Sequence, residues 1–198
     1  MQSGLVYILQ SLVNLYLMAF ALRLAMQWVR ADFRNPIVKF VLTVTNPLVL
    51  PLRRFVPAIY KIDTATLIIF VLLQWATTGI LAQLTCGIAP DLLTLLGLAI
   101  IRGLRQILNV YFYVIFGYVL MSWIAQGTHN PSLAMLGTVL KQIAQPVLMP
   151  VQKLIPPIAG LDLSPLFLLL GLGAITRMLY GPAQQLASGL MCPLGAIL

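Results

Sequence analysis

Asn46-Pro47-Leu48-Val49-Leu50-Pro51-Leu52-Arg53-Arg54-Phe55-Val56-Pro57, running on to Ile62-Asp63, is a proline-rich basic segment that the chain writes twice. The second copy reads Gln145-Pro146-Val147-Leu148-Met149-Pro150-Val151-Gln152-Lys153-Leu154-Ile155-Pro156 and runs on to Leu161-Asp162. Pro47, Pro51, Pro57, Ile59 and Asp63 recur 99 positions later as Pro146, Pro150, Pro156, Ile158 and Asp162. Apolar residues stand opposite apolar ones between these identities, which marks an internal duplication. Each copy lies between two strongly hydrophobic stretches.

Composition says what those stretches face. The 198 residues are 61% hydrophobic and 8% charged, with a mean hydropathy of +0.99. A soluble domain carries about 25% charged residues to solvate its surface. Most of this surface therefore faces lipid. The net charge of +8 is no nucleic-acid footprint, because half of the lysines and arginines cluster between Arg30 and Lys61; in a membrane protein such clustering sets topology. The first positive charge is Arg23, so no cleavable signal peptide is expected. Cys86 and Cys192 are isolated and lack metal spacing. On the outer side they are either free thiols or, in a periplasm, a disulfide.

About 20 apolar residues span a bilayer core, and four such helices are predicted: about 4–29, closed by Trp28; about 64–84; about 103–124, closed by Trp123; and about 164–180. The third rests on the repeat. Trp28, Asn35 and Pro36 recur 95 positions on as Trp123, Asn130 and Pro131. One helix from Leu92 to Ile124 would reach about 50 Å, too long for a membrane, so residues 86–102 are assigned as a spacer with a short interfacial or half-buried helix. Repeats thus cover 1–85 and 103–181, with a tail at 182–198. The fold class is an all-α membrane protein made of two parallel helix–amphipathic segment–helix repeats.

The interfacial segments are 36–62 and 131–161. The repeat offset shifts from 95 to 99 within them, adding about one helical turn to the second copy. Ile37, Phe40, Val41 and Val44 form the apolar face of the first copy; Leu133, Leu136, Leu140 and Ile143 form that of the second. Prolines remove amides and clash with the preceding turn, so the helix is expected to stop before Pro47 and Pro146. The proline segments then dip shallowly into the interface. Eight Lys/Arg in the two connections, against Arg102 and Arg105 opposite, place both segments in the cytoplasm and the termini outside.

Arg23 is an intramembrane charge, either functional or snorkelling from five residues before Trp28. Its counterpart is Tyr118. Asp63 and Asp162 begin the second and fourth helices, as a symmetric cation site or as helix caps. Asp63 is in reach of Arg23 or the Arg53–Arg54 pair, and Asp162 of Lys153. Arg53, Arg54 and Lys153 are candidate contacts for anionic lipid headgroups or a partner. His129 is the lone histidine, a poor basis for haem or metal. No catalytic constellation, cofactor site or nucleic-acid surface is read, and a non-enzyme is expected.

Taken together, Arg23, Gln27-Trp28, Asn35-Pro36, Pro47-Leu48, Pro51-Leu52-Arg53-Arg54, Pro57 and Asp63, then Ser122-Trp123, Pro146, Pro150, Pro156 and Asp162-Leu163-Ser164-Pro165 resemble the YggT family of integral membrane proteins. The resemblance covers essentially the whole chain in its two-copy bacterial form; plastid relatives form the YlmG group. It implies a multi-pass protein of the bacterial plasma (inner) membrane. It further implies links to osmotic or salt tolerance and ion homeostasis, to nucleoid and division organisation, and in plastids to haem assembly in a cytochrome complex. Gln152-Lys153 departs from the usual basic pair, and Tyr118 from the usual arginine. A structural or assembly role leads, with the bilayer, a homo-oligomer or a membrane protein as partner. Alternatives are an oligomeric ion-conducting or osmotically gated protein, lined by Gln10, Asn14, Arg23, Gln27, Gln74 and Asn109, and a haem-assembly factor.

Overall fold

The computed structural model describes residues 4–57, 63–87, 90–124, 130–155 and 162–188. Lys61, His129, Pro156, Cys192 and the side chain of Cys86 lie outside them. The order is α1 (Gly4–Trp28), α2 (Pro36–Arg53), α3 (Thr64–Cys86), α4 (Leu92–Ile124), α5 (Pro131–Leu154), α6 (Ser164–Met178) and α7 (Tyr180–Ala187), with no strand among the described residues. Helices α1, α3, α4 and the α6–α7 stretch are long and apolar enough to cross a membrane. Trp28 and Trp123 end α1 and α4 and are exposed.

Asn35 and Asn130 explain the recurring Asn-Pro pairs. Each side chain accepts the backbone N–H two residues on, from Ile37 and from Ser132. The following proline occupies the first helical position, where no amide partner is lost. Asn35 also donates from Nδ2 to the Met135 carbonyl at 3.0 Å, stitching the first repeat to α5 of the second.

The expected stop before the prolines is corrected. Helix α2 passes through Pro47 and Pro51, and α5 through Pro146 and Pro150. An interior proline costs about 3 kcal/mol in an isolated helix. Here the prolines are four apart and all exposed, so each pair lies on the open face of its helix. The opposite face is held by packing through Val38, Val41, Thr45 and Val49 in α2, and through Val139, Ile143, Ala144 and Leu148 in α5. The buried face is thus turned from the expected one, for Phe40 is exposed. With 18 residues against 24, α5 is the longer helix, in keeping with the inserted turn.

The spacer is corrected too. Residues 92–101 are the start of α4, continuous with its spanning part. One face of this extension packs on protein through Leu95, Leu98, Ala99 and Ile101, while Leu92, Leu93, Leu96 and Ile100 stay exposed on the other. Leu98 and Ile101 pack with Ala183 and Ala187 of α7, and Leu95 packs against Gly79 of α3. The expected tail therefore begins with a docked helix. Gly103 permits the close approach of α3, since a Cβ there would sit 3.3 Å from the Phe70 ring. Helix α4 packs on α1, α3, α5, α6 and α7 and is the mast of the bundle.

Helix α1 closes with Ala31 N–H to Met26 O at 2.9 Å and Arg30 N–H to Gln27 O at 3.1 Å. This paired closure puts a left-handed residue at Arg30, φ +53°. Glycine takes that conformation without a Cβ penalty, as Gly87 does after α3. Arg30→Gly is expected to raise stability by about 1 kcal/mol, read as a higher unfolding midpoint in detergent; an unchanged or lower midpoint would show that the Arg30 side chain matters more than its backbone.

Candidate functional site: a buried arginine–aspartate lock

Arg23 projects from the last two turns of α1 and is 2% exposed. Its Nη1 donates to Thr45 Oγ1 at 2.7 Å and to Asn46 Oδ1 at 2.9 Å, both on α2. Its Nη2 faces Asp63 Oδ2 at 3.6 Å, at the threshold of α3. One guanidinium therefore fastens three elements. The Thr45 hydroxyl is oriented to receive it, because its own proton goes to the Val41 carbonyl at 2.7 Å, leaving a lone pair toward Arg23.

Asp63 stands at the N-cap position of α3 but makes no capping bond with its side chain. The cap expectation is corrected here. Oδ2 instead receives the Thr66 hydroxyl at 3.0 Å and faces both Arg23 and Arg53, the latter Nε also at 3.6 Å. Asp63 is 4% exposed, and taking a carboxylate that far out of water is costly unless cations and donors replace the lost hydration. Two arginines and a hydroxyl do so. Arg23 Nε and Asp63 Oδ1 remain buried without partners, so the lock is under-bonded.

The second repeat answers with a neutral version. At the equivalent positions Tyr118 replaces Arg23, Ala144 replaces Thr45, Gln152 replaces Arg53 and Pro165 replaces Thr66. Gln152 Nε2 donates to Asp162 Oδ2 at 2.7 Å, and Ser164 N–H to Oδ1 at 2.9 Å. Asp162 therefore bonds the helix start from one position before the N-cap, which is Leu163 and makes no side-chain cap bond, so the cap expectation is corrected here too. Its partner is Gln152, not Lys153, which is exposed. Partial burial opposes ionisation of Asp162, but the bonds from Ser164 and Gln152 outweigh it and hold its pKa below the usual value. A depressed carboxylate contributes stability above its unfolded pKa and loses it as pH falls through the folded one. The two aspartates lie in different settings, which does not support the symmetric cation site, and among the described residues no cluster suits a metal ion.

Arg54 is exposed beside the lock. An apolar groove of about 560 Å³ opens next to it between α2 and α3, lined by Pro51, Leu52, Phe55, Leu72, Leu73 and Trp75 among others. Arg102 and Arg105, expected as outer charges, are 3% and 9% exposed inside the bundle. Arg102 donates to Asn14 at 2.6 Å, while Arg105 donates to the Tyr180 hydroxyl at 2.6 Å and lies 4.0 Å from its ring centre. Several residues expected to line a pore are taken up internally: Arg23 in the lock, Asn14 by Arg102, and Gln74 in the interior at 1% exposure.

The CCB3/YggT family model matches residues 2–84 and 97–183, once for each half. The chain belongs to the CCB3/YggT family. It is 38% identical over 179 residues to the uncharacterized protein PA0392 of Pseudomonas aeruginosa, covering 90% of this chain and 89% of that one. It is 36% identical over 166 residues to the uncharacterized protein YggT of Escherichia coli K12, with 84% of each covered. A Vibrio alginolyticus protein described as uncharacterized, in the proC 3′ region, is 33% identical over 170 residues. No solved structure matches. The family match divides the chain where the duplicated segments do, and its second half takes in the α4 extension from residue 97.

Proposed function

We propose that this YggT-family protein is a non-enzymatic organiser of the bacterial inner membrane. Its α2 and α5 helices form a cytoplasmic platform that gathers anionic lipid headgroups and, through them or directly, a membrane-protein partner. The link to osmotic stress tolerance implied by the family resemblance fits a protein that senses or sets lipid packing at this interface.

The observation that carries this reading is the neighbourhood of the lock. Arg53 is half-exposed, with its Nε turned to Asp63, and Arg54 is exposed beside it. The adjoining groove descends along α3 to Trp75, about 16 Å from the helix start at 1.5 Å per residue. That depth suits an acyl chain below a headgroup held by the arginines. A basic residue near an anionic surface is worth about 1 kcal/mol, so Arg54 alone supplies roughly a fivefold preference.

Native mass spectrometry of the detergent-solubilised chain with phosphatidylglycerol and phosphatidylcholine tests it. The wild type is expected to retain phosphatidylglycerol preferentially, and Arg54→Glu to lose that preference about fivefold or more. Equal retention of both lipids, or an unchanged preference in the variant, would sink the lipid reading. Arg54 is the better probe because Arg53 also faces the lock.

A further inference from the structure

The outer half of the bundle holds a charge that its contacts do not balance. Arg102 is 3% exposed. Among the described residues its hydrogen bonding is one contact, Nη2 to the neutral Asn14 Oδ1, and Nη1 is buried without a partner. Proton loss offers no relief, because a guanidinium stays protonated inside proteins. The aspartate preceding α4 is Asp91, exposed and accepting the Thr94 N–H. It lies 11 residues away, about 16 Å along the helix. Asp32, Asp63 and Asp162 belong to the platform end.

A second buried polar side chain lies at the same level on α3. Gln74 of α3 is 1% exposed, and both its amide oxygen and its amide nitrogen are buried without partners. Its Cγ lies 3.7 Å from where a Cβ on Gly103 would be, and Gly103 directly follows Arg102. One turn along α4, the Arg105 guanidinium adds a second positive charge to the same region. An uncompensated ion at this depth costs several kcal/mol, and among the described residues no carboxylate faces Arg102.

We propose that the α1–α3–α4 junction around Arg102 and Gln74 binds a small monovalent anion of the halide class, chloride foremost. Arg102 Nη1 and Gln74 Nε2 are its donors. Asn14 and Gln106 hold the site's wall on α1 and α4, for Gln106 Nε2 also donates to the Asn14 carbonyl. Two open donors suit a spherical ion. They do not suit a phosphate, whose several oxygens each call for a partner.

Equilibrium dialysis of the full detergent-solubilised chain against radioactive chloride, with sodium gluconate holding ionic strength constant, tests the site directly. Saturable binding near one chloride per chain is expected. Arg102→Met should weaken it at least tenfold and Gln74→Leu about fivefold, and chloride should raise the wild-type melting temperature relative to gluconate by about 5 °C. Absence of saturable binding to the wild type overturns the proposal even if the variants fail to fold. Saturable binding unchanged in a folded Arg102→Met or Gln74→Leu chain overturns it as well.

Discussion

Asp63→Asn is expected to destabilise the protein by about 3–5 kcal/mol. The magnitude follows from what the substitution leaves behind. Arg23 would remain 2% exposed with two neutral acceptors and no counter-charge, whereas Arg53 would turn to solvent at little cost. Reversible unfolding in mixed micelles, followed by circular dichroism, measures the loss. Adding Arg23→Met to the Asp63→Asn variant removes the stranded cation, so the double variant should recover much of the deficit, with a coupling above about 1 kcal/mol. Asp162→Asn is the internal control: its carboxylate is exposed and bonded to a neutral Gln152, and it should cost under about 1 kcal/mol. An Asp63→Asn variant as stable as Asp162→Asn would refute the lock.

Phe20→Ala is expected to cost about 3 kcal/mol. Phe20 is 0% exposed and stands edge-on to Tyr16, with centroids 5.2 Å apart. It belongs to a core that joins Val38 and Val41 of α2 with Ile115 of α4 and Ile143 of α5. In a membrane the hydrocarbon solvent is as apolar as the core, so transfer from water is not the term lost. What disappears is close packing and its dispersion contacts. Leu5→Ala, at a site 74% exposed to the surroundings, should change stability by less than about 0.5 kcal/mol. Similar effects at the two positions would show that burial inside this bundle does not discriminate its packing.

The contrast between these residues shows what was readable from sequence. Apolar length and the repeat offsets identified the spans, because both depend on one-dimensional spacing. The extent of α4 escapes that logic, since α7 and α3 pack on one face of its first turns. The intrinsic cost of proline predicts breaks, but a spacing of four puts both on the open face while Val49 and Leu148 hold the other. Arg23 and Asp63 stood out by charge and position. Thr45, Asn46 and Thr66 did not, because a hydroxyl or amide in an apolar helix is ambiguous until its partner is known. A usable signal lay in comparing the halves: Arg23, Thr45, Arg53 and Thr66 are all replaced together in the second copy. The Arg102–Asn14 pair, separated by 88 positions, has no such signature.

The residues of the lock also set an order of events. Arg23, Thr45, Asn46, Arg53, Asp63 and Thr66 all fall within the first third of the chain. The fastening of α1, α2 and α3 can therefore close while the ribosome is still making the rest. The Arg105 bond to Tyr180 must wait for more than a hundred residues after Thr66, about 6–23 seconds at typical elongation rates. The nascent first half can thus be fastened at its platform end before α4 finds all its neighbours. The ionic fastening sits in the copy that must stand alone longest.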